Sequence, residues 1–209
     1  MARPRTFDED EVLDSAIECF WSRGLEATSV RDLAEHMGLH GPSLYNAFGD
    51  KRTLFARALQ RYATRNMRER IARLERRHQP KAAVCAFLHE VIERSVADPH
   101  RRGCLLVNSA LEVAPHDKEL RAHIAAYLEE IAAFFRRSIH AAQAAGEVPT
   151  RLDGDDTAKL LLGVLLGIRV LARTNPDRAL LEGVARPALA LLDLPRPPAR
   201  TTPRQGSRA

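Results

Sequence analysis

Nothing in this sequence is apolar for long enough to cross a membrane. The longest uncharged apolar stretch, Leu160 to Ile168, has nine residues, where a span needs roughly 18 or more. Also absent are runs of alternating Val, Ile and Thr bounded by turn residues, so no strand is expected. Cysteine is scarce. Cys19, Cys85 and Cys104 lie far apart without CxxC spacing, the usage of a reduced intracellular protein. No P-loop, GxSxG or GxGxxG occurs. His89-Glu90-Val91-Ile92-Glu93 opens like HExxH but has Glu where the second His belongs. Glu119-x-x-x-His123 is one residue longer than the Glu-x-x-His of a helical di-iron site. No catalytic residue, metal ligand or cofactor is therefore expected, and a helical enzyme or metal protein is the rival reading that elemental analysis would exclude. Met1-Ala2-Arg3-Pro4-Arg5-Thr6 leads straight into an acidic stretch with no apolar core, so it does not read as a signal peptide. A soluble cytoplasmic protein is expected.

What the chain does have is charge and helical periodicity. Over 209 residues it is 45% hydrophobic and 28% charged, a globular profile sufficient for one or two small domains. The net charge of +5 is uneven: residues 51–78 hold ten basic side chains against Glu69 and Glu75. Such a run suits an anionic partner such as DNA, or is a solvated helix face, and charge alone does not choose between them.

Apolar residues recur at helical spacing. Leu13, Ala16, Ile17 and Phe20 predict a helix from about Asp8 to Arg23, stopped by Gly24. Ser29 and Asp32 fit the capping pattern of a short second helix ending at Gly38. A third runs from Pro42 to Phe48 with Pro in its first turn. Asp50 caps a fourth, striped by Leu54, Phe55, Ala58, Leu59 and Tyr62. Beyond Pro80, helices are predicted around Val84–Ile92, through the apolar segment Gly103–Ala114, and from Asp117 to Ala145. Leu160–Leu171 is apolar on nearly every face, and a last helix, Ala179–Leu192, contains Pro187, which is expected to kink it. From Pro195 onward Pro, Arg, Thr and Gly dominate, so 194–209 reads as a disordered basic tail.

The informative window is Thr28 to Leu54. Val30, Leu33, Ala34 and Met37 form one apolar face, Gly38 occupies the turn, and Leu39 and Leu44 close a small core. Two helices joined by so short a turn bury a face only by crossing steeply, which leaves the second projecting, as in a helix-turn-helix. Thr28, Leu33-Ala34, Gly38, Leu44-Tyr45, Phe48, Lys51 and Leu54 together resemble the DNA-binding domain of TetR-family transcriptional repressors. The likeness covers roughly Arg3 to Tyr62.

The resemblance implies an all-α fold of about nine helices, with an N-terminal three-helix DNA-binding domain and a C-terminal helical dimerisation and ligand-binding domain. It divides the chain into residues 1–50, a connecting helix 51–78, and 79–193. It implies a homodimer that represses from a double-stranded DNA operator, is released by an unidentified small-molecule effector, and has no membrane partner. Thr28 and Arg31 are placed at phosphates by the helix N-terminus, with Tyr45 donating to another phosphate and Lys51 clamping the far side of the groove. His40, Gly41, Ser43 and Asn46 fall where the family reads base edges or nearby phosphates, and Asn can pair bidentately with adenine. Arg3 and Arg5 form a basic arm for phosphate or minor-groove contacts. Two positions depart from the common pattern: Gly41 stands where a Lys is frequent, and Ala47 where a His or Tyr is usual.

For the dimer interface the candidates are Leu161, Val164, Leu165 and Ile168, with Gly163 and Gly167 allowing close approach, and Leu181 and Val184 on the last helix. The alternative is a monomeric core. Polar groups interrupting apolar faces suggest an effector pocket at Cys104, Asn108, His123 and Tyr127, with Phe134. Gly103-Cys104-Leu105 is similar to a segment in family members that sense electrophiles and oxidants, which implies a reactive thiolate favoured by Arg101 and Arg102. A structural buried cysteine is the competing reading. The remaining rival is an activator, or a ligand-independent architectural DNA binder, on the same fold.

Overall fold

A computed structural model describes residues 8–193; Arg3, Arg5 and the tail 194–209 lie outside the described residues. Those residues form nine helices and no strand. Helix α1 spans Glu9–Arg23, α2 Val30–His36 and α3 Gly41–Phe48. Helix α4 runs unbroken through Lys51–Ala63, a π-helical turn Thr64–Arg68 and Glu69–Arg77. Then follow α5 (Pro80–Val96), α6 (Leu105–Glu112), α7 (Lys118–Ala144), α8 (Gly154–Thr174) and α9 (Arg178–Leu191).

The helix starts follow the capping chemistry. Asp8, Asp50, Asp117, Asp153 and Asp177 each accept backbone N–H groups that a first turn leaves unpaired. Ser29 and Asp32 form the expected reciprocal capping box. Helix α8 begins six residues earlier than its apolar run, at Gly154, because Asp153 caps it and Thr157 and Ala158 are buried. Pro187 sits inside α9, which continues to Leu191.

The first three helices gather around the N-terminal half of α4. Phe20 meets Phe55 edge-to-face at 5.0 Å between centroids, while Leu33, Leu44, Leu54 and Leu59 are fully buried beside them. The second half of α4 packs on α5, which also contacts α7, α8 and α9 and so lies at the centre of the larger bundle. Phe87 of α5 and Phe134 and Phe135 of α7 form a cluster with centroids 5.3–5.5 Å apart. Phe134 is therefore a core residue, not the pocket residue expected.

The basic run of α4 faces acids of the same protomer. Arg57 pairs with Glu9, Arg61 with Asp10 and Asp14, and Arg65 with Asp14, an i, i+4, i+8 series laid along α1. Further on, Arg68 pairs with Glu130 and Arg73 with Glu90. Of the two readings left open for this run, neither a bare DNA footprint nor a purely solvated face describes it: much of its charge is matched at close range within the protein. Partly exposed pairs of this kind stabilise by only about 0–1 kcal/mol each. Their main effect is to set the register of α4 against its neighbours.

Asp14 carries a testable consequence. Hydrogen bonds from Arg61 at 2.7 and 2.8 Å, joined by one from Arg65 at 2.5 Å, hold its carboxyl down at about 2 against burial, which opposes them. A depressed carboxylate stabilises the fold above its unfolded value of about 3.9, and that stabilisation is lost as pH falls through the folded value. Urea midpoints should therefore fall between about pH 4 and 2, and Asp14→Asn should flatten part of that slope while leaving its neutral-pH midpoint lower and less salt-sensitive.

Candidate functional site

The helix-turn-helix stands as the spacing predicts. Gly38 has a φ of 63°, a left-handed turn open to glycine, and Leu39 N–H closes it on the Ala34 carbonyl at 2.9 Å. Inside α3 the two large apolar side chains, Leu44 and Phe48, point to the core. The opposite face presents Pro42, Ser43, Tyr45 and Asn46, with His40 at its start; Tyr45 is 51% exposed. Gly41 is half-buried, with nothing within 4 Å of where a Cβ would stand. A protruding α3 with a polar outer face is thus a property of the free protein. Arg31, on the exposed side of α2 with its side chain 88% accessible, pairs with Glu35 at 2.8 Å.

Two expected phosphate ligands are turned inward. Thr28 is buried, and its hydroxyl donates to the Gly24 carbonyl at 2.6 Å. The reason lies one residue on: Ser29, not Thr28, caps α2, so Thr28 closes the preceding loop. Lys51 Nζ donates to the carbonyls of Leu25 at 2.9 Å and Thr28 at 3.1 Å. Its ammonium satisfies two loop carbonyls and ties the start of α4 to the entry of α2. Both side chains brace the loop before α2 from within.

Several contacts join that head to the bundle. The Arg102 guanidinium lies 4.3 Å from the Trp21 ring centroid and pairs with Glu18 and Asp98, while Trp21 Nε1 donates to the Arg102 carbonyl at 3.2 Å. Arg52 donates to Asp117 at 2.5 and 3.0 Å and to Glu119 at 2.7 Å. Glu112, the last residue of α6, accepts from Glu26 N–H at 3.2 Å and crowds Gly24. Helix α6 thereby touches the head at its C-terminal end.

The other end of α6 borders a partly open cavity of about 40 Å³. Its polar walls are Tyr62, Asn66, Arg70, Cys104 and Arg169, and its apolar walls include Phe87, Leu106, Leu128 and Leu165. The Tyr62 hydroxyl donates to Cys104 Sγ at 3.6 Å and accepts from Leu105 N–H at 3.4 Å; burial first, then the neighbouring thiol, pushes it well above the usual phenol range. Of the five expected pocket residues only Cys104 lines this cavity. Asn108 instead donates to the Arg102 carbonyl at 2.9 Å, His123 is exposed, and Tyr127 lies under the Arg68 guanidinium. Arg102, engaged with Trp21, Glu18 and Asp98, is not the cation at the Cys104 thiol that the sequence suggested.

Tyr62, Asn66, Arg70 and Arg169 were not anticipated. A signal existed for Arg70: with Met67, Ile71 and Leu74 it occupies the buried stripe of α4, where an arginine is out of place. Arg169 interrupts the apolar run of α8 in the same way.

The predicted interface residues also divide. Leu161, Leu165, Ile168 and Leu181 are buried in the protomer's own core. Val164 and Val184 are half-buried, and Leu160 and Val170 are exposed beside them. The run Leu160–Leu171 reads as two-sided because α8 covers α5 and α7 with one face and leaves the other accessible.

Comparison with known proteins agrees with this architecture. The model for bacterial regulatory proteins of the tetR family matches residues 12–58, and that for the tetracyclin repressor-like C-terminal domain matches 80–188. The chain is 32% identical over 199 residues to the uncharacterized HTH-type transcriptional regulator YezE of Bacillus subtilis, covering 92% of this chain and all of that protein. It is 29% identical over 194 residues to the HTH-type transcriptional repressor ComR of Escherichia coli, covering 90% of each. Among solved structures, a cysteine-substituted TetR family transcriptional regulator CifR, complexed with 26-bp double-strand operator DNA, is similar at a TM-score of 0.80 and 34% identity. That match covers 90% of this chain and 98% of the other.

The role of Lys51 can be checked directly. Lys51→Met leaves two loop carbonyls without their charged donor, a loss of about 1.5–3 kcal/mol for hydrogen bonds of this kind. Urea unfolding should show a reduction of that order, where a freely exposed phosphate ligand would show none.

Proposed function

This chain belongs to the TetR family of DNA-binding transcriptional regulators, which are not enzymes, and we propose that within it the protein is a homodimeric repressor released from a palindromic operator by a small-molecule effector. Residues 1–50 act as the DNA-binding unit, 51–78 as the lever and 79–193 as the dimerising and sensing part. The observation that carries the reading is the outward polar face of α3, where Ser43, Tyr45 and Asn46 stand clear of the core. Asn46 and Ser43 meet base edges, with His40 and Gly41 at the groove margin. Tyr45 and Arg31 meet phosphates, and Thr28 and Lys51 hold α2 in place for them.

Dimerisation is supported by Leu160, Val164, Val170 and Val184, and by the open space where a Cβ would stand at Gly163, Gly167 and Gly183. These residues let a partner's helices approach closely, and a twofold axis then sets two α3 helices about one DNA turn apart, ~34–36 Å. The effector acts on that separation. The cavity is walled by α4 and by the start of α6, and the far end of α6 reaches Glu26. A ligand that favours one arrangement of these helices shifts the head between two spacings, with a coupling of about 1–3 kcal/mol. A second mode of release is reaction of an electrophile at Cys104, favoured by the placing of its thiol in the cavity wall beside Tyr62.

Selection of bound fragments from the source genome, followed by anisotropy titrations, tests the DNA reading. Arg31→Ala should weaken binding to all duplexes alike and reduce the salt slope by about one. Asn46→Ala should instead relax preference at one base pair, by about 1–3 kcal/mol. A protein that retains no fragment at low salt overturns the reading.

For the thiol, labelling rates decide. Cys85 has its thiol pushed up chiefly by burial, and a sensing Cys104 should be labelled by iodoacetamide faster than Cys85. Equal rates would leave Cys104 a structural residue.

A further inference from the structure

Arg70 is an anomaly in the core. Its residue is 4% exposed, yet Nε and Nη2 have no hydrogen-bond partner among the described residues. The nearest carboxylate, Glu90, lies 3.6 Å from Nε, beyond hydrogen-bond range, and its two oxygens already accept from Arg73 at 2.9 and 2.7 Å. The other charges around it are also positive. Arg169 is buried and lines the same cavity, donating to Ser95 Oγ at 3.0 Å, and Arg94 donates to Asn66 at 3.2 Å. Burial, reinforced by Arg94 and Arg169 and only partly offset by Glu90, pulls the guanidinium down to about 10. A buried cation with unmet donors is strongly unfavourable unless an anion joins it.

We propose that the cavity between α4, α6 and α8 binds a small organic carboxylate, held by Arg70 and Arg169. This rests on the effector reading above and gives that site a ligand class. A planar carboxylate suits guanidinium donors. Phe87, Leu106, Leu128 and Leu165 offer only hydrocarbon, which a short alkyl chain matches and a bare inorganic anion does not. The cavity's size of about 40 Å³ is close to the roughly 30 Å³ that one water occupies, so an alkyl carboxylate enters only by pushing the apolar wall outward. A neighbouring groove of about 350 Å³ shares Asn66 and Arg169 with it and is bordered by Arg94, Arg101 and Arg102 against a single acid, Asp98. Anions are drawn toward such a groove. The site adjoins the π-helical turn of α4, the kind of irregularity that often accompanies function.

The test uses the full chain in thermal unfolding and calorimetric titration, with sodium butyrate, butyramide, sodium phosphate and sodium chloride at matched ionic strength. Butyrate should raise Tm saturably, by about 3 °C at high occupancy, while butyramide, phosphate and chloride leave it unchanged. Arg70→Met should lose the butyrate shift while its ligand-free Tm equals or exceeds that of the parent, because an unpaired buried charge has gone. Arg169→Lys, which keeps the charge, should retain a weakened shift. No butyrate response in the parent protein overturns the proposal, as does an equal response to butyramide or to the inorganic anions. Operator affinity measured on the same samples separates the two readings. Butyrate that binds without changing operator affinity sustains the carboxylate site and overturns its role in release.

Discussion

Leu54, Phe55, Ala58 and Leu59 are buried in the first half of α4, among α1, α2 and α3, while Ile71 and Leu74 are buried in the second half on the bundle side. One continuous helix is thus packed into two cores. Fully burying a side chain of this size stabilises by about 1.5–3 kcal/mol, so neither end of α4 moves independently of its surroundings. The geometry of the head is tied to the geometry of the bundle because one helix, continuous through a π-helical turn, runs through both.

That constraint gives meaning to contacts that look merely decorative. Arg102 on Trp21, Arg52 on Asp117 and Glu112 on Glu26 all bridge head and bundle around α4. Each is modest in energy. Together they leave α6 touching the cavity at one end and the head at the other. One short helix therefore spans the distance from the cavity wall to the loop before α2.

Polar groups in the bundle follow the opposite logic to those in the head. In the head, Thr28 donates to Gly24, Lys51 donates to Leu25 and Thr28, and Ser29 and Asp32 cap each other. Such satisfaction makes a rigid platform. In the cavity Arg70 is left short of partners and Tyr62 is held against a thiol. Unmet donors beside an apolar wall are what the proposed carboxylate would answer.

The sequence alone determined the helix-turn-helix, because its signals are local: the Ser29–Asp32 box, the left-handed Gly38, Pro42 in the first turn and Asp50 as a cap each act within four residues. It also determined the all-helical class, through apolar spacing that needs no knowledge of partners. What it left undecided were side-chain directions that depend on distant elements. Lys51 turns inward because a loop more than twenty residues before it offers carbonyls. Leu161 and Ile168 belong to the core because α5 and α7 happen to lie beneath them, and Arg70 meets Arg169 only because α4 and α8, a hundred residues apart, share one cavity. Periodicity shows that a face is buried but not what buries it, and that second fact exists only once the chain has folded.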